Sequence, residues 1–327
     1  MILVAYGTRP EWIKLSVLIE YLRNKTEVCV LYTGQQKDIG NFGYDRSIVI
    51  KQDKNRLNDI VSSILDSDVF DGISHVIVQG DTASAFAVAL SAFNLGIPIS
   101  HVEAGLRTYD SENPYPEESY RQMISCLASY HYCPTEKDRE NLIAERKNGK
   151  IFTVGNTVID TLPIISTAYD NKVLVTMHRR ENIPMMKEWF TAVEELAIKY
   201  QEIDFILPLH PNPLVKEAAS CLKYTKIVPP MNHDELLNLM AKCKCIISDS
   251  GGIQEEASFY QKKVLVCRKT TERPAKNQIL VQNPTMLKGC FEQTMANHIV
   301  DDFCPFGNGD ASEKIYEIMI MMNHFIK

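Results

Sequence analysis

The chain has 327 residues, enough for about two domains and for a large core that needs no disulfide or metal staple. Hydrophobic residues make up 45%, charged residues 23%, and Gly and Pro number 15 each, which excludes collagen, coiled coil and wholesale disorder. A net charge of −6 argues against general nucleic-acid binding, which needs a basic surface to displace phosphate counterions.

Short apolar, β-branched runs alternate with amphipathic stretches from end to end. The pattern predicts a strand over 2–6, a helix over 11–23, a strand over 28–33 and a helix over 56–66. It continues with a strand at 75–79, a helix at 83–95, a strand at 98–102, a helix at 117–129, a short strand near 131–133 and a helix from 136. Residues 151–154 close this first series. A second series follows: strand 172–177, helix 184–199, strand 203–208, helix 213–222, strand 226–228, helix 233–241, strand 244–248, helix 253–259 and strand 263–267. Residues 311–325 read as a terminal helix. Strands alternating with helices imply βαβ units and parallel sheets, and two such series imply two doubly wound domains. The break is expected near Gly155–Asp160.

The first residues lack the basic flank and long apolar run of a signal peptide. No stretch approaches the ~18 apolar residues of a membrane span. The nine cysteines are odd in number and irregularly spaced, and read as buried reduced thiols of a cytoplasmic protein. Cys243 and Cys245 would share one strand face, but no second pair completes a zinc site, and no metal is expected.

In open α/β sheets ligands bind beyond the carboxyl ends of the strands, and a cleft between two facing domains is the expected place. The residues after each predicted strand therefore matter most. Gly7-Thr8-Arg9-Pro10-Glu11 follows the first strand. Arg9 and Lys14 there put fixed positive charge near a helix N-terminus, which suits an anion. Gly80-Asp81-Thr82, Glu103-Ala104-Gly105-Leu106-Arg107, Pro114-Tyr115-Pro116-Glu117-Glu118 and His178-Arg179-Arg180-Glu181 lie at other strand ends or helix starts. Asp81, Glu103, Glu117 and His178 together supply general acid and base groups with split proton affinities. Any one alone would more often be an N-cap or a turn residue. Asp249-Ser250-Gly251-Gly252 opens a helix carrying Glu256. Its glycines let a phosphate approach the backbone while the helix N-terminus presents N–H donors. Glu256, one turn in, is placed to accept ribose hydroxyls. His210-Pro211-Asn212-Pro213 and Thr270-Thr271-Glu272-Arg273-Pro274 also follow strands. No G-x-G-x-x-G, Walker A, H-E-x-x-H or G-x-S-x-G motif occurs, which weakens dinucleotide, P-loop, zinc-protease and serine-hydrolase readings.

Taken in order, these stretches resemble the non-hydrolysing UDP-N-acetylglucosamine 2-epimerases. The resemblance extends through Gly155-Asn156-Thr157-Val158-Ile159-Asp160 to Pro305-Phe306-Gly307-Asn308-Gly309 and spans nearly the whole chain. It implies a GT-B-like fold, with two Rossmann-type doubly wound domains facing a deep cleft. The first would cover 1–158, with the helix 311–327 packing back on it, and the second, UDP-binding domain would cover 159–310. It also implies inversion at C2 of a UDP-N-acetylhexosamine through elimination of UDP and its re-addition, without a cofactor. On that resemblance Asp81, Glu103, Glu117 and His178 carry acid/base and electrostatic roles. Arg9, Lys14, Arg179, His210, Ser250, Gly251, Gly252, Glu256 and Arg273 hold the nucleotide sugar. The implied partners are a UDP-sugar and a second copy of the chain, with no nucleic acid and no membrane.

The sequence departs from the family pattern in places. The family's Thr-Gly-Gln-His-Arg reads Thr33-Gly34-Gln35-Gln36-Lys37 here, without the histidine. The usual glycine after His178-Arg179-Arg180-Glu181-Asn182 is replaced by Ile183-Pro184-Met185, and Ala275 follows Pro274 where glutamate is usual. The segments after Lys37 and between Asp160 and Val173 are short. In bacterial members the glutamine–histidine region helps bind a second, activating UDP-N-acetylglucosamine, so this regulatory site is expected to be altered or lost. A 6-deoxy UDP-N-acetylhexosamine substrate, a hydrolysing epimerase, a GT-B glycosyltransferase and a non-catalytic nucleotide-sugar binder remain as alternatives.

Overall fold

A computed structural model describes residues 1–37, 42–52, 55–300 and 303–322 of the chain. It divides into two compact units: Met1–Leu162 with the segment from Phe306 onward, and Pro163–Pro305.

Unit 1 contains β1 (Ile2–Tyr6), α1 (Arg9–Arg23), β2 (Val28–Tyr32), β3 (Arg46–Ser47), α2 (Arg56–Leu65), β4 (His75–Gln79), α3 (Ala83–Asn94), β5 (Ile99–Val102), α4 (Glu117–Leu127), β6 (Tyr130–Cys133), α5 (Glu136–Ala144) and β7 (Lys150–Thr153). The strands form one parallel sheet in the order β3-β2-β1-β4-β5-β6-β7. β1 and β4 read Ile-Leu-Val-Ala-Tyr and His-Val-Ile-Val-Gln and are buried at every residue. That is why they appear as continuous runs rather than alternating ones: helices cover both faces of the sheet. Strand order reverses between β1 and β4, so their carboxyl ends open the crevice where such sheets bind ligands.

Unit 2 contains β8 (Asp170–Thr176), α6 (Met186–Lys199), β9 (Asp204–Pro208), α7 (Pro213–Ala218), β10 (Lys226–Val228), α8 (His233–Lys242), β11 (Cys243–Ser248), α9 (Gly251–Phe259), β12 (Lys263–Val266), β13 (Gln278–Leu280) and α10 (Leu287–Ala296). Its parallel order is β10-β9-β8-β11-β12-β13, and the reversal falls between β8 and β11. Trp189, Phe190, Phe205 and Phe291 fill the core on one side of this sheet.

The chain then returns to unit 1 with α11 (Ala311–Met321). Ile315 and Met319 join Leu15, Leu18 and Leu22 of α1 in one apolar cluster, and Tyr316 meets Tyr21 edge-on at 5.5 Å. Asp160 caps this helix, accepting the Ala311 and Ser312 amides at 3.0 and 2.7 Å. The helix reads to residue 325 in the sequence; residues 323–327 lie outside the described residues.

Three elements escape the sequence pattern. β3 and β13 have two and three residues, too few to show a period. α10 carries Gly289 in its first turn and has no side-chain cap. The stretch 213–222 forms α7 and then tightens into a 3₁₀ turn at Ala219–Cys221. Likewise Pro184 confines Arg180–Met185 to a 3₁₀ turn before α6 begins.

Gly105, just past β5, has φ +90°, and a Cβ built there would lie 2.2 Å from the Asp138 carbonyl oxygen. Gly105→Ala is therefore expected to cost roughly 2–4 kcal/mol in urea unfolding. Gly289→Ala, with open space around it, is expected to hold or raise stability. Equal stability of the two variants would contradict the packing at Gly105.

Candidate active site

In unit 1 the turns after β1 and β4 are joined by one buried carboxylate. Thr8 caps α1, and Glu11 sits three residues on, the spacing of a capping box. Glu11 Oε2 accepts the Gly7 amide at 3.0 Å and the Thr8 hydroxyl at 2.7 Å, and its Oε1 accepts the Thr82 hydroxyl at 2.7 Å. Burial pushes the Glu11 carboxyl up to about 7, against the pull of the Thr8 and Thr82 hydrogen bonds. Gly7 is required by space: a Cβ there would fall 2.3 Å from Ser84 Oγ and 2.4 Å from Thr33 Oγ1.

Asp81 stands between Gly80 and Thr82. Its Oδ2 accepts Arg121 Nε at 2.9 Å and also pairs with Arg121 Nη2. Arg121 reaches Glu118 Oε2 at 3.1 Å, and the Glu118 carboxylate accepts the Thr108 and Tyr109 amides at 3.0 and 3.2 Å. One guanidinium from α4 thus locks both the Asp81 turn and the loop after β5. Glu117, half-buried, opens α4, where negative charge suits the helix N-terminus. His101 Nε2 donates to the Gly80 carbonyl at 2.7 Å, and burial pushes this imidazole down to about 3, so it is neutral.

Glu103 has φ +65°, a left-handed conformation costly for a non-glycine residue. Its Oε2 accepts Gln79 Nε2 at 2.9 Å and Asn156 Nδ2 at 3.1 Å, and it forms an ion pair with Lys14. These partners come from α1, β4 and the segment after β7, so the strained acid is held from three directions.

In unit 2 the turns after β8 and β11 are joined in the same manner. Asp249, fully buried, accepts the amides of His178 at 3.1 Å and Arg179 at 3.0 Å, and Asn182 Nδ2 at 3.0 Å. The His178 ring stacks on His210 at 4.9 Å and 7°. Burial and the neighbouring His178 both push His210 below its ordinary value. Ser250 caps α9 without a side-chain hydrogen bond, and two guanidinium groups stand beside the helix start. A Cβ on Gly251 would lie 3.0 Å from Arg273 Nη1 and 3.7 Å from Arg179 Nη2. Buried acids aim these cations. Glu255 Oε1 takes Arg273 Nε at 2.9 Å, and Glu272 takes Arg268 Nη1 at 3.0 Å and pairs with Arg273. Beside this start lies a cavity of about 290 Å³, walled by Pro230, Met231, Leu236 and Ile253 and carrying Glu256 and His233. His233 Nε2 meets Glu256 Oε1 at 3.0 Å. Helix-end donors, converging guanidinium groups and an apolar slot with a carboxylate suit an anionic nucleotide.

The family model described as UDP-N-acetylglucosamine 2-epimerase matches residues 25–320. The chain belongs to this family. It is 37% identical to the UDP-N-acetylglucosamine 2-epimerase of Campylobacter jejuni, over 98% of this chain and 97% of that one. Its structure is similar to that of the Neisseria meningitidis enzyme bound to UDP-GlcNAc, with TM-score 0.85, 33% identity and coverage of 98% and 99%. It is also similar to the Methanocaldococcus jannaschii enzyme in complex with UDP-GlcNAc and UDP, with TM-score 0.80, 29% identity and coverage of 98% and 99%. The chain is therefore a GT-B-like isomerase acting on UDP-sugars.

Within this epimerase, Asp81, Glu103 and Glu117 lie in unit 1, at strand ends or a helix start. His178, Arg179, His210, Ser250, Gly251, Gly252, Glu256 and Arg273 gather in unit 2 at the turns after β8, β9, β11 and β12. Lys14, expected at the diphosphate, is engaged with Glu103 in unit 1. Arg9 has an exposed side chain and donates its amide to Gln36 Oε1 at 2.9 Å. The sequence reading assigns no role to Glu11, His101, Arg121, Asn156, Asp249 or Arg268. Only Glu11 carries a local signal, the Thr-x-x-Glu capping box; the others depend on contacts distant in sequence.

Gly252 has open space where a Cβ would go, so only a bound group needs its bareness. Gly252→Ala is expected to keep or raise the melting temperature while weakening UDP binding about tenfold or more by calorimetry. Unchanged affinity would mean that the phosphates do not approach this turn.

Proposed function

We propose that the chain is a non-hydrolysing UDP-N-acetylglucosamine 2-epimerase that interconverts UDP-GlcNAc and UDP-ManNAc. The observation that carries this reading is the fixing of Asp81 by Arg121 and of Glu103 by Lys14, Gln79 and Asn156, at the strand ends of unit 1. The C2 proton has no neighbouring carbonyl and is not acidic, so inversion needs a step that makes its removal productive. Elimination does so. A carboxylate takes the C2 proton, the C2–H electrons form the C1=C2 bond, and the C1–O bond breaks with its electron pair leaving on UDP. The product is a 2-acetamidoglucal. A second acid then delivers a proton to the opposite face of C2, and a phosphate oxygen of UDP re-forms the bond to C1.

Each group has a part in this scheme. Asp81, Glu103 and Glu117 exchange protons at C2. Arg179, Arg268, Arg273 and the N-terminus of α9 stabilise the charge that develops on the departing diphosphate, with His178 and His210 beside them. The slot of Pro230, Met231, Leu236 and Ile253 takes the base, and Glu256 the ribose hydroxyls. UDP-GlcNAc and UDP bound to the Neisseria and Methanocaldococcus relatives support a substrate of this class. The family resemblance further supports a cytoplasmic homodimer.

In heavy water, the product is expected to carry one solvent deuteron at C2 by proton NMR. Asp81→Asn is expected to lower kcat about 10²–10⁴-fold. Product without deuterium would end the elimination route, and stoichiometric free UDP in the phosphorus spectrum would make the enzyme a hydrolase.

Gln35 and Gln36 are committed to the chain's own backbone: Gln35 Oε1 accepts the Ser84 amide at 3.0 Å, and Gln36 Oε1 the Arg9 amide. With no histidine beside them, a hyperbolic rate curve is expected with UDP-ManNAc alone. An absolute requirement for added UDP-GlcNAc would overturn that expectation.

A further inference from the structure

Glu11 is a fully enclosed acid, 2% exposed, to which the scheme above gives no step. Its hydrogen bonds divide between two elements that are far apart in sequence. One oxygen holds Gly7 and Thr8, which open α1; the other holds the Thr82 hydroxyl. Thr82 also accepts the Ala85 amide at 3.0 Å and so caps α3. The carboxylate therefore lies at the N-termini of two helices, where negative charge is favoured. Thr82 is joined by a peptide bond to Asp81. On the other side of Asp81, His101 holds the Gly80 carbonyl at 2.7 Å. Gly80 has φ +70°, a conformation that gives the turn its sharpness. The residue between these two anchors has little freedom, and Arg121 orients its side chain.

We propose that Glu11 is a positioning residue for the reaction, acting through Thr82 to set where the Asp81 carboxylate sits against the sugar. A displacement of an ångström at a proton-transferring group costs up to about 100-fold in rate. Binding of the nucleotide rests on unit 2 and does not pass through this bond.

The inference rests on the reading of Asp81 as an acid/base group, and the two can fail separately. Thr82→Val removes the hydroxyl and keeps the shape; it is expected to lower kcat about 10–100-fold with the Kd for UDP changed less than about threefold. Thr82→Ser returns the hydroxyl and is expected to restore most of the rate. Glu11→Gln is expected to match Thr82→Val. The double variant is expected to be no slower than the slower single one, because both changes cut the Glu11–Thr82 bond, Thr82→Val removing the Ala85 cap of α3 in addition. Full kcat in Thr82→Val, equal impairment of the serine and valine variants, or penalties that multiply in the double variant would overturn the proposal. If Glu11→Gln does not fold, the Thr82 pair decides alone. An active Asp81→Asn would instead overturn the assignment of Asp81; an inactive one beside a fully active Thr82→Val would leave that assignment standing and remove Glu11.

Discussion

A buried carboxylate bridging two strand-end turns is the interaction on which both halves of this enzyme depend. In unit 1 it is Glu11, between the turns after β1 and β4; in unit 2 it is Asp249, between the turns after β8 and β11. Each stands where its sheet reverses strand order. A turn at such a place leaves backbone N–H groups pointing into a space with little water, and burying them unpaired would cost about 1–3 kcal/mol each. The carboxylate satisfies several at once and ties separate chain segments into one rigid floor. On that floor the neighbouring strand-end residues keep their positions: Asp81 in one unit, His178 and Arg179 in the other.

The charge of the molecule takes its meaning from the same economy of placement. A net −6 describes the whole chain, yet Arg179, Arg268 and Arg273 stand together near one helix start. Arg179 and Arg268 share Glu181 at 3.4 Å each, an exposed and loosely held partner. Buried Glu255 and Glu272 instead hold Arg268 and Arg273 closely. The buried acids orient the cations, and the exposed one holds them least tightly.

The sheet-forming elements were legible in the chain because strands covered on both faces read as continuous apolar runs, as Ile2–Tyr6 shows. Glycines at strand ends marked the turns, and the charged residues beside them marked most of the candidate site. The supporting partners were not legible. Arg121 is forty residues from Asp81 and Asn156 is 53 from Glu103, so nothing local announces either pair. The edge strand Gln278–Leu280 is too short to carry a pattern, and its pairing with β12 is decided by the sheet already formed. Lys14 shows the limit most plainly. A cation near a helix start reads as an anion site, and only the fold reveals that one anion it meets is Glu103, 89 residues away.

The interrupted path of the chain bears on how the enzyme is made. Unit 2 occupies 163–305 as one uninterrupted stretch, whereas unit 1 is complete only with the segment that begins at Phe306. At roughly 5–20 residues per second on the ribosome, unit 2 takes on the order of 7–30 s to emerge. During that interval the apolar face of α1 that receives Ile315 and Met319 has no cover, and Asp160 has no helix to cap. The unit begun first is thus the one finished last. The apolar cluster that Ile315 and Met319 complete is the surface that the nascent chain must keep from aggregating until its final turns arrive.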